Sequence, residues 1–208
     1  MESKEAAEHL QVIRTLMERS AIYRHALAPI TLALGVLGCL GGIAGRALRI
    51  ESARGFVSYW MAISALGVGS AYLLARRQAL RESEPFWSPP ARRVTQALAP
   101  AFLVGMLPGV LVLAFPEWNF IQASGLPVFW MLFYGCAVHA AGFFMTRGMR
   151  LLGLLFIGTG IGFMTAQGFA GQPAALSDGH GVMGTAFGGL HLAYGLYLYL
   201  TRKSRNAE

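Results

Sequence analysis

Residues 126–145 have the sequence LPVFWMLFYGCAVHAAGFFM, and this stretch decides the fold class. It contains no Asp, Glu, Lys or Arg, and two arginines, Arg147 and Arg150, follow it closely. A transmembrane helix needs about 20 predominantly apolar residues to cross the hydrocarbon core of a bilayer. The stretch therefore predicts one membrane-spanning helix that ends at a basic boundary.

Five further segments of the chain are similarly long and apolar. The six predicted spans are residues 27–45, 56–75, 95–114, 126–145, 151–170 and 182–200. Charged residues make up 13% of the chain, whereas about a quarter is usual for a soluble domain. We therefore predict an all-α fold, a polytopic membrane bundle of six transmembrane helices within residues 27–201.

The distribution of basic residues predicts the orientation of the bundle. The connections and termini on one side carry fourteen of the 17 Lys and Arg residues, and the other side carries only Arg46, Arg49 and Arg54. Because cytoplasmic loops are enriched in Lys and Arg, we expect a multi-pass cell-membrane protein with both termini in the cytoplasm. Residues 202–208 then form a basic cytoplasmic tail. The same bias explains the net charge of +7 without a nucleic-acid partner.

An amphipathic cytoplasmic helix is predicted ahead of the first span, within residues 1–26. Ala6, Leu10, Ile13 and Met17 recur at steps of four and three residues, and charged residues lie elsewhere around the helix. Such spacing places the apolar side chains on one face. The helix is predicted to lie on the membrane surface or beneath the bundle, or alternatively to dock a cytosolic partner protein.

Aromatic residues near the span ends are predicted to lie at the membrane interfaces, where Trp and Tyr are enriched. Trp60, Trp118 and Trp130 fall near the outer ends of their spans. Phe86 and Trp87 lie in the second cytoplasmic connection, whose prolines forbid a continuous helix. We expect an ordered loop there that places both rings against the cytoplasmic interface. The alternative is a short Pro-rich ligand for another protein.

Two short sequences recur at nearly the same offset. They are ALAP at residues 26–29 and 97–100, and YWM at 59–61 with FWM at 129–131. The recurrence predicts that the first two spans and the next two are duplicated hairpins with the same orientation. The fourth and sixth spans also share a glycine-flanked histidine, His139 and His191. The bundle is therefore predicted to consist of three related helical hairpins.

His139 and His191 are the leading candidates for a functional site. They lie eight and eleven residues before the basic ends of two spans that run in the same direction. With a rise of ~1.5 Å per residue, their depths differ by only about 4–5 Å. Three interpretations stay open: hydrogen bonds between helices that stabilise the bundle, a polar substrate or ion site that also includes Tyr134, and two axial ligands of a haem b.

Pro108, near the middle of the third span, is a further candidate for a substrate site. Proline removes one backbone hydrogen bond, and together with Gly109 it predicts a kink or a break in the helix. Transporters place discontinuous helices at their substrate sites. Kinks that serve only packing are also frequent, so both interpretations stay open.

Asp178 and His180, in the last outer connection, are two potential metal ligands. Two ligands without a third are a weak indication of a metal site. Capping of the following helix by Ser177 or Asp178 is the simpler interpretation, because both side chains can accept a hydrogen bond from a free helix N–H.

Glycine pairs four residues apart recur in the spans. They include Gly38/Gly42, Gly41/Gly45, Gly105/Gly109, Gly158/Gly162 and Gly184/Gly188. Small residues at this spacing let helix backbones approach closely. They predict tight packing within the chain, or contact with a second copy or another membrane subunit in the lipid bilayer.

No sequence pattern of a known catalytic site is present. The chain lacks a GxxxxGK[ST] loop, an HExxH pair and a GxSxG elbow, and its spans hold no charged residue for a proton relay or voltage sensor. We therefore favour a protein that is not an enzyme. The preferred function is a small transporter or channel-like bundle for an uncharged or weakly polar solute. The alternatives are a non-catalytic scaffold that binds a partner protein and a b-type haem electron carrier that uses His139 and His191.

Overall fold

The computed structural model of the protein describes residues 27–83, 85–115, 117, 122–170 and 176–205, and these contain helices and no strand. The helices are α1 Leu27–Ala47, α2 Ala53–Arg81, α3 Pro89–Ala114, α4 Leu126–Ala141, α5 Arg147–Ala170, α6 Leu176–Met183 and α7 Leu190–Arg205. Two 3₁₀ turns flank α4, and a π-helical turn, Gly184–Gly189, joins α6 to α7. The predicted all-α fold is confirmed, whereas the amphipathic helix predicted in residues 1–26 lies outside the described residues.

Five helices are long and apolar enough to cross a membrane, so the chain is a membrane protein. They are Leu27–Ala47, Ala53–Arg81, Pro89–Ala114, Ala123–Phe144 and Arg147–Phe169. The shortest has 21 residues, which at ~1.5 Å per residue matches a hydrocarbon core about 30 Å thick. The region of the sixth predicted span is also helical, but the π-helical turn divides it into α6 and α7. We call these three consecutive segments the last rod.

The start of α3 is set by a serine followed by two prolines. Ser88 is the N-cap residue, and the prolines occupy the first turn, where a missing N–H has no cost because no helical partner exists for it. The helix therefore begins six residues before the predicted start at residue 95. It runs continuously through Pro100 and Pro108. Of the kink or break predicted at Pro108, the break is therefore wrong, and the kink stays a prediction.

The last rod runs antiparallel to α1, and the two backbones touch at glycines. Gly38 faces Gly188, and Gly42 faces Gly184. A Cβ atom added to Gly38 would lie 2.7 Å from the backbone nitrogen of Gly188, and one added to Gly42 would lie 2.7 Å from the Cα of Gly184. Both separations are shorter than the van der Waals contact distance of a Cβ atom, so glycine is required at these contacts. The close packing predicted for these two pairs is confirmed within the chain.

Two other pairs of antiparallel helices also make close contacts. Tyr59 of α2 donates a 2.7 Å hydrogen bond from its hydroxyl to the backbone oxygen of Gly41 in α1. On the far side of the bundle, α5 packs on α4, where a Cβ at Gly153 would collide with the backbone of His139. Gly158 of α5 differs, because a Cβ there would meet nothing within 4 Å. Gly158 therefore does not form a close helix contact within the described residues.

An aromatic cluster fills one end of the bundle, which we call the aromatic end. Its buried members are Phe56, Val57, Trp60, Leu126, Trp130 and Met183. The side chains of Trp60 and Trp130 are only 3% and 4% exposed, and the rings of Phe56 and Trp130 stack with centroids 6.2 Å apart. The prediction that Trp60 and Trp130 anchor the protein in the lipid interface is therefore wrong, because both rings face into the bundle.

His180 ties three segments together at the aromatic end. Its side chain is fully buried, Trp60 donates from Nε1 to its Nδ1 over 3.1 Å, and its Nε2 lies 2.9 Å from the backbone oxygen of Ile50. The carbonyl can only accept, so Nε2 carries the hydrogen and the imidazole is neutral with both nitrogens paired. His180 therefore serves as a structural link between the α1–α2 connection, α2 and α6.

Candidate ligand-binding cavity

A cavity of about 770 Å³ lies among α1, α2, α3, α4 and the last rod. Two stripes of residues at a spacing of four follow its wall. They are Trp130, Tyr134 and Val138 on α4, and Met183, Phe187 and His191 on the last rod. A spacing of four keeps successive side chains on one helix face. The volume falls within the range of about 300–1,000 Å³ that is typical of small-molecule sites.

Aromatic rings line both ends of the cavity. Trp60 and Trp130 line it at the aromatic end, and Phe86 and Trp87 line it where α2 ends and α3 begins. We call this second end the basic end, because the arginines in the last turns of α2 and the first turn of α3 lie there. The ring of Phe86 packs edge-on against Tyr72 with centroids 5.1 Å apart, whereas Trp87 is 59% exposed. The connection between α2 and α3 thus contributes directly to the cavity wall.

The cavity wall is uncharged over the residues that the structure describes. Its lining includes no Asp, Glu, Lys or Arg, and its polar members are Thr31, Ser64, Tyr72, Gln78, Ser88, Thr95, Tyr134 and His191 together with the indole groups. A charged ligand would therefore lose its hydration without gaining an ionic partner, which is strongly unfavourable. The wall suits an uncharged and largely apolar molecule.

Methionines make up an unusual share of the wall. Five of the nine methionines of the chain line the cavity, namely Met61, Met106, Met145, Met149 and Met183. Methionine has an unbranched, polarisable side chain that adapts to ligands of different shape. This feature could not be predicted from the sequence, because the five residues lie on separate segments of the chain and converge only in the folded bundle.

Tyr134 and His191 form the polar centre of the wall. The Tyr134 hydroxyl oxygen lies 2.6 Å from His191 Nε2, and His191 Nδ1 lies 2.6 Å from the backbone oxygen of Phe187. The imidazole is only 3% exposed. Phe156 of α5 packs behind the pair, with ring centroids 4.9 Å from Tyr134 and 5.2 Å from His191. The pair is therefore held rigidly between α4, α5 and the last rod.

The other two predicted site residues lie outside the cavity wall. His139 packs toward α5, where its Nδ1 lies 3.1 Å from the backbone oxygen of Arg150. Pro108 belongs to α3 but is not a lining residue, although its neighbours Gly105 and Met106 are. The structure thus brings together Tyr134 and His191 and leaves His139 and Pro108 apart from them.

The haem interpretation of His139 and His191 stays a prediction. Iron ligation by His191 through Nε2 would require the Tyr134 hydroxyl to leave its present position 2.6 Å away. Within the described residues, no group of three His, Cys, Asp or Glu side chains is placed to hold a metal ion.

Comparisons of the chain with protein-family models, with curated proteins and with solved structures give no match. The cavity and its polar pair are therefore the features that indicate a function.

Proposed function

We propose that the chain crosses the membrane six times, with both termini in the cytoplasm. The last rod supports the sixth crossing, because it runs antiparallel to α1 through the Gly38–Gly188 and Gly42–Gly184 contacts. The excess of Lys and Arg on the side of the basic end supports the orientation. The repeat of helical hairpins is supported by Trp60 and Trp130, which occupy matching places in YWM and FWM and meet in the aromatic cluster.

We further propose that the protein is a small transporter that binds an uncharged, largely apolar solute in the cavity. The observation that carries this proposal is a cavity of about 770 Å³ whose described wall lacks charge and contains one buried polar pair. Sites for small molecules combine an apolar lining with a few polar groups that fix orientation. The cavity is lined from Trp60 and Trp130 at the aromatic end to Phe86 and Trp87 at the basic end, and this extent supports a carrier rather than a shallow surface site.

Binding is tested with a bromoadamantanol, a rigid apolar cage whose bromine quenches tryptophan fluorescence on contact. The chain has four tryptophans, and Trp87→Phe with Trp118→Phe leaves only Trp60 and Trp130, which both line the cavity. With this variant in lipid nanodiscs, we expect saturable quenching as the probe concentration in the bilayer rises. Quenching that rises linearly without saturation would mean that the probe only dissolves in the lipid, and the proposal would fail.

A matched pair of substitutions on α2 locates the bound probe. Ala71 lines the cavity, whereas Ala65 lies on the exposed face of the same helix. We expect Ala71→Phe, which fills the cavity, to weaken probe binding by at least ~10-fold, equivalent to about 1.4 kcal/mol. Ala65→Phe should leave the binding curve unchanged. Equal effects of the two substitutions would exclude the cavity as the binding site.

Transport is tested separately in proteoliposomes. A radiolabelled adamantanediol has the same apolar cage but two hydroxyl groups, which slow its unassisted passage through lipid. We expect the protein to accelerate release of the trapped diol, and Ala71→Phe to abolish the acceleration. Saturable binding without faster release would identify a receptor and exclude a carrier.

A further inference from the structure

The hydrogen bonds around His191 assign the hydrogen positions of the polar pair. Nδ1 lies 2.6 Å from the backbone oxygen of Phe187. A carbonyl oxygen can only accept a hydrogen bond, so Nδ1 of His191 must carry a hydrogen. The other nitrogen, Nε2, faces the Tyr134 hydroxyl. Whether Nε2 carries a hydrogen therefore determines whether the pair can donate or accept a hydrogen bond with a ligand.

Nε2 of His191 has a lone pair and no hydrogen. The imidazole is 3% exposed, and the described cavity wall contains no carboxylate that could balance a positive charge. A buried cation without a partner is costly, so the neutral ring is the stable form. A neutral imidazole with hydrogen on Nδ1 is an acceptor at Nε2. The Tyr134 hydroxyl, 2.6 Å away, therefore donates its hydrogen to His191.

The hydroxyls of Thr31, Thr95 and Ser64 also have their hydrogens committed within the protein. Thr31 donates to the backbone oxygen of Leu27 over 2.8 Å, and Thr95 donates to its own helix over 3.0 Å. Ser64 points its hydroxyl at the sulfur of Met106. The indole N–H of Trp130 is buried and has no acceptor within the described chain, but it lacks exposed surface through which a ligand could reach it.

We propose that the cavity selects solutes that carry a hydrogen-bond donor, either a hydroxyl or an uncharged N–H, on an apolar skeleton. The Tyr134 oxygen has given its hydrogen to His191 and retains the capacity to accept. A hydroxyl of the solute can donate to that oxygen, whereas an ether or ketone of the same shape presents a second acceptor to it. This inference rests on the proposed function, since it specifies the class of solute for the same cavity.

The test compares two probes, one with a hydroxyl hydrogen and one in which a methyl group replaces that hydrogen. They are the bromoadamantanol used above and its methyl ether, each measured against its own concentration in the nanodisc bilayer. We expect the alcohol to bind about 3–10-fold more tightly, the value of one net hydrogen bond. Equal binding of the two probes, or tighter binding of the ether, would overturn the inference while leaving the cavity a binding site. Absence of saturable quenching by either probe would instead contradict the proposed function.

A substitution of His191 tests the origin of the preference. In His191→Leu, the Tyr134 hydroxyl no longer donates its hydrogen to the imidazole and can donate it to an ether oxygen instead. We expect the preference for the alcohol to fall to about 2-fold or less, although Tyr134 itself is unchanged. Tyr199→Phe, at an exposed tyrosine of α7, should retain the full preference. An undiminished preference in His191→Leu would show that Tyr134 does not donate to His191. The wild-type comparison of the two probes decides the inference even where His191→Leu folds poorly.

Discussion

His180 and His191 show how the same residue type takes different roles in one bundle. Both imidazoles are buried, and both place one nitrogen against a backbone oxygen, that of Ile50 for His180 and that of Phe187 for His191. The second nitrogen of His180 is paired with the Trp60 indole inside a packed cluster, whereas that of His191 is paired with a tyrosine in the wall of a cavity. The surroundings of the second nitrogen therefore distinguish a structural histidine from a candidate ligand contact.

Replacement of His180 by alanine is expected to destabilise the fold strongly. The change leaves the Trp60 N–H and the Ile50 carbonyl without partners and creates a void in the aromatic cluster. We expect the free energy of unfolding to fall by about 2–4 kcal/mol. In detergent, this should lower the unfolding temperature by about 5–15 °C for a chain of this size.

His139→Ala is the matched control for His180→Ala. His139 is partly buried and has one hydrogen bond, to the Arg150 carbonyl, so the unfolding temperature should fall by less than half as much. A larger effect at His139 than at His180 would contradict the assignment of His180 as the main structural link.

The pairing of His191 could not be predicted from the sequence, although its identity as a site residue could be proposed. Counting residues from the basic ends placed His139 and His191 at similar depth, which suggested that the two histidines act together. Depth along a helix does not give the face on which a side chain lies. In the structure His139 packs toward α5 and His191 pairs with Tyr134, and the irregular π-helical turn just before His191 makes its face hard to infer.

At the scale of the helices, glycine decides which pairs approach closely. The contacts Gly38–Gly188 and Gly42–Gly184 bring α1 against the π-helical turn, the segment that carries Phe187 and precedes His191. The position of the cavity wall therefore depends on these glycines. The spacing of four predicted the close contacts, but the same spacing at Gly158 has no partner within the described chain, so spacing alone does not identify the faces in use.

A single methyl group at Gly42 is expected to separate α1 from the last rod. Its Cβ would lie 2.7 Å from the Cα of Gly184, and relief of this overlap should cost about 1–3 kcal/mol. The unfolding temperature of Gly42→Ala should fall accordingly. Gly158→Ala provides the control, because its Cβ meets nothing within 4 Å and alanine favours a helix more than glycine does. Equal losses of stability in the two variants would contradict the packing of α1 on the last rod.

The ends of the helices could be predicted only where residues close in the sequence determine them. The predicted spans coincide with the central parts of the five long helices, because about 20 apolar residues fix a crossing. The start of α3 was missed, since two prolines favoured a loop in the sequence yet fit the first turn of a helix. The π-helical turn was also missed, because it has no sequence pattern of its own. It lies where the last rod contacts α1.

At the scale of the whole molecule, the arginines divide the bundle into two ends. Among the described residues, Arg46, Arg49 and Arg54 lie at the aromatic end, whereas those at the basic end are Arg76, Arg77, Arg81, Arg92, Arg93, Arg147 and Arg150. The asymmetry follows the predicted topology and is independent of the cavity. It therefore provides a separate test of how the bundle sits in the membrane.

Accessibility of single cysteines is expected to give opposite results at the two ends. The native cysteines, Cys39 and Cys136, are first replaced by serine. In intact cells, a membrane-impermeant maleimide should label Glu51→Cys, between α1 and α2, and should not label Ser83→Cys, at the end of α2. Permeabilised cells should show labelling of both. The reverse pattern in intact cells would place the termini outside and overturn the proposed orientation.

The methionines of the cavity wall make the chemistry of the site sensitive to oxidants. Each thioether that gains an oxygen atom becomes a sulfoxide, which converts an apolar group into a strongly polar one. Five such groups line a cavity whose described wall has no charge. Peroxides that dissolve in the lipid would therefore convert an apolar cavity into one lined by polar S=O groups. The proposed binding of apolar solutes would then weaken while the helices persist, and reductive repair of the sulfoxides would restore it.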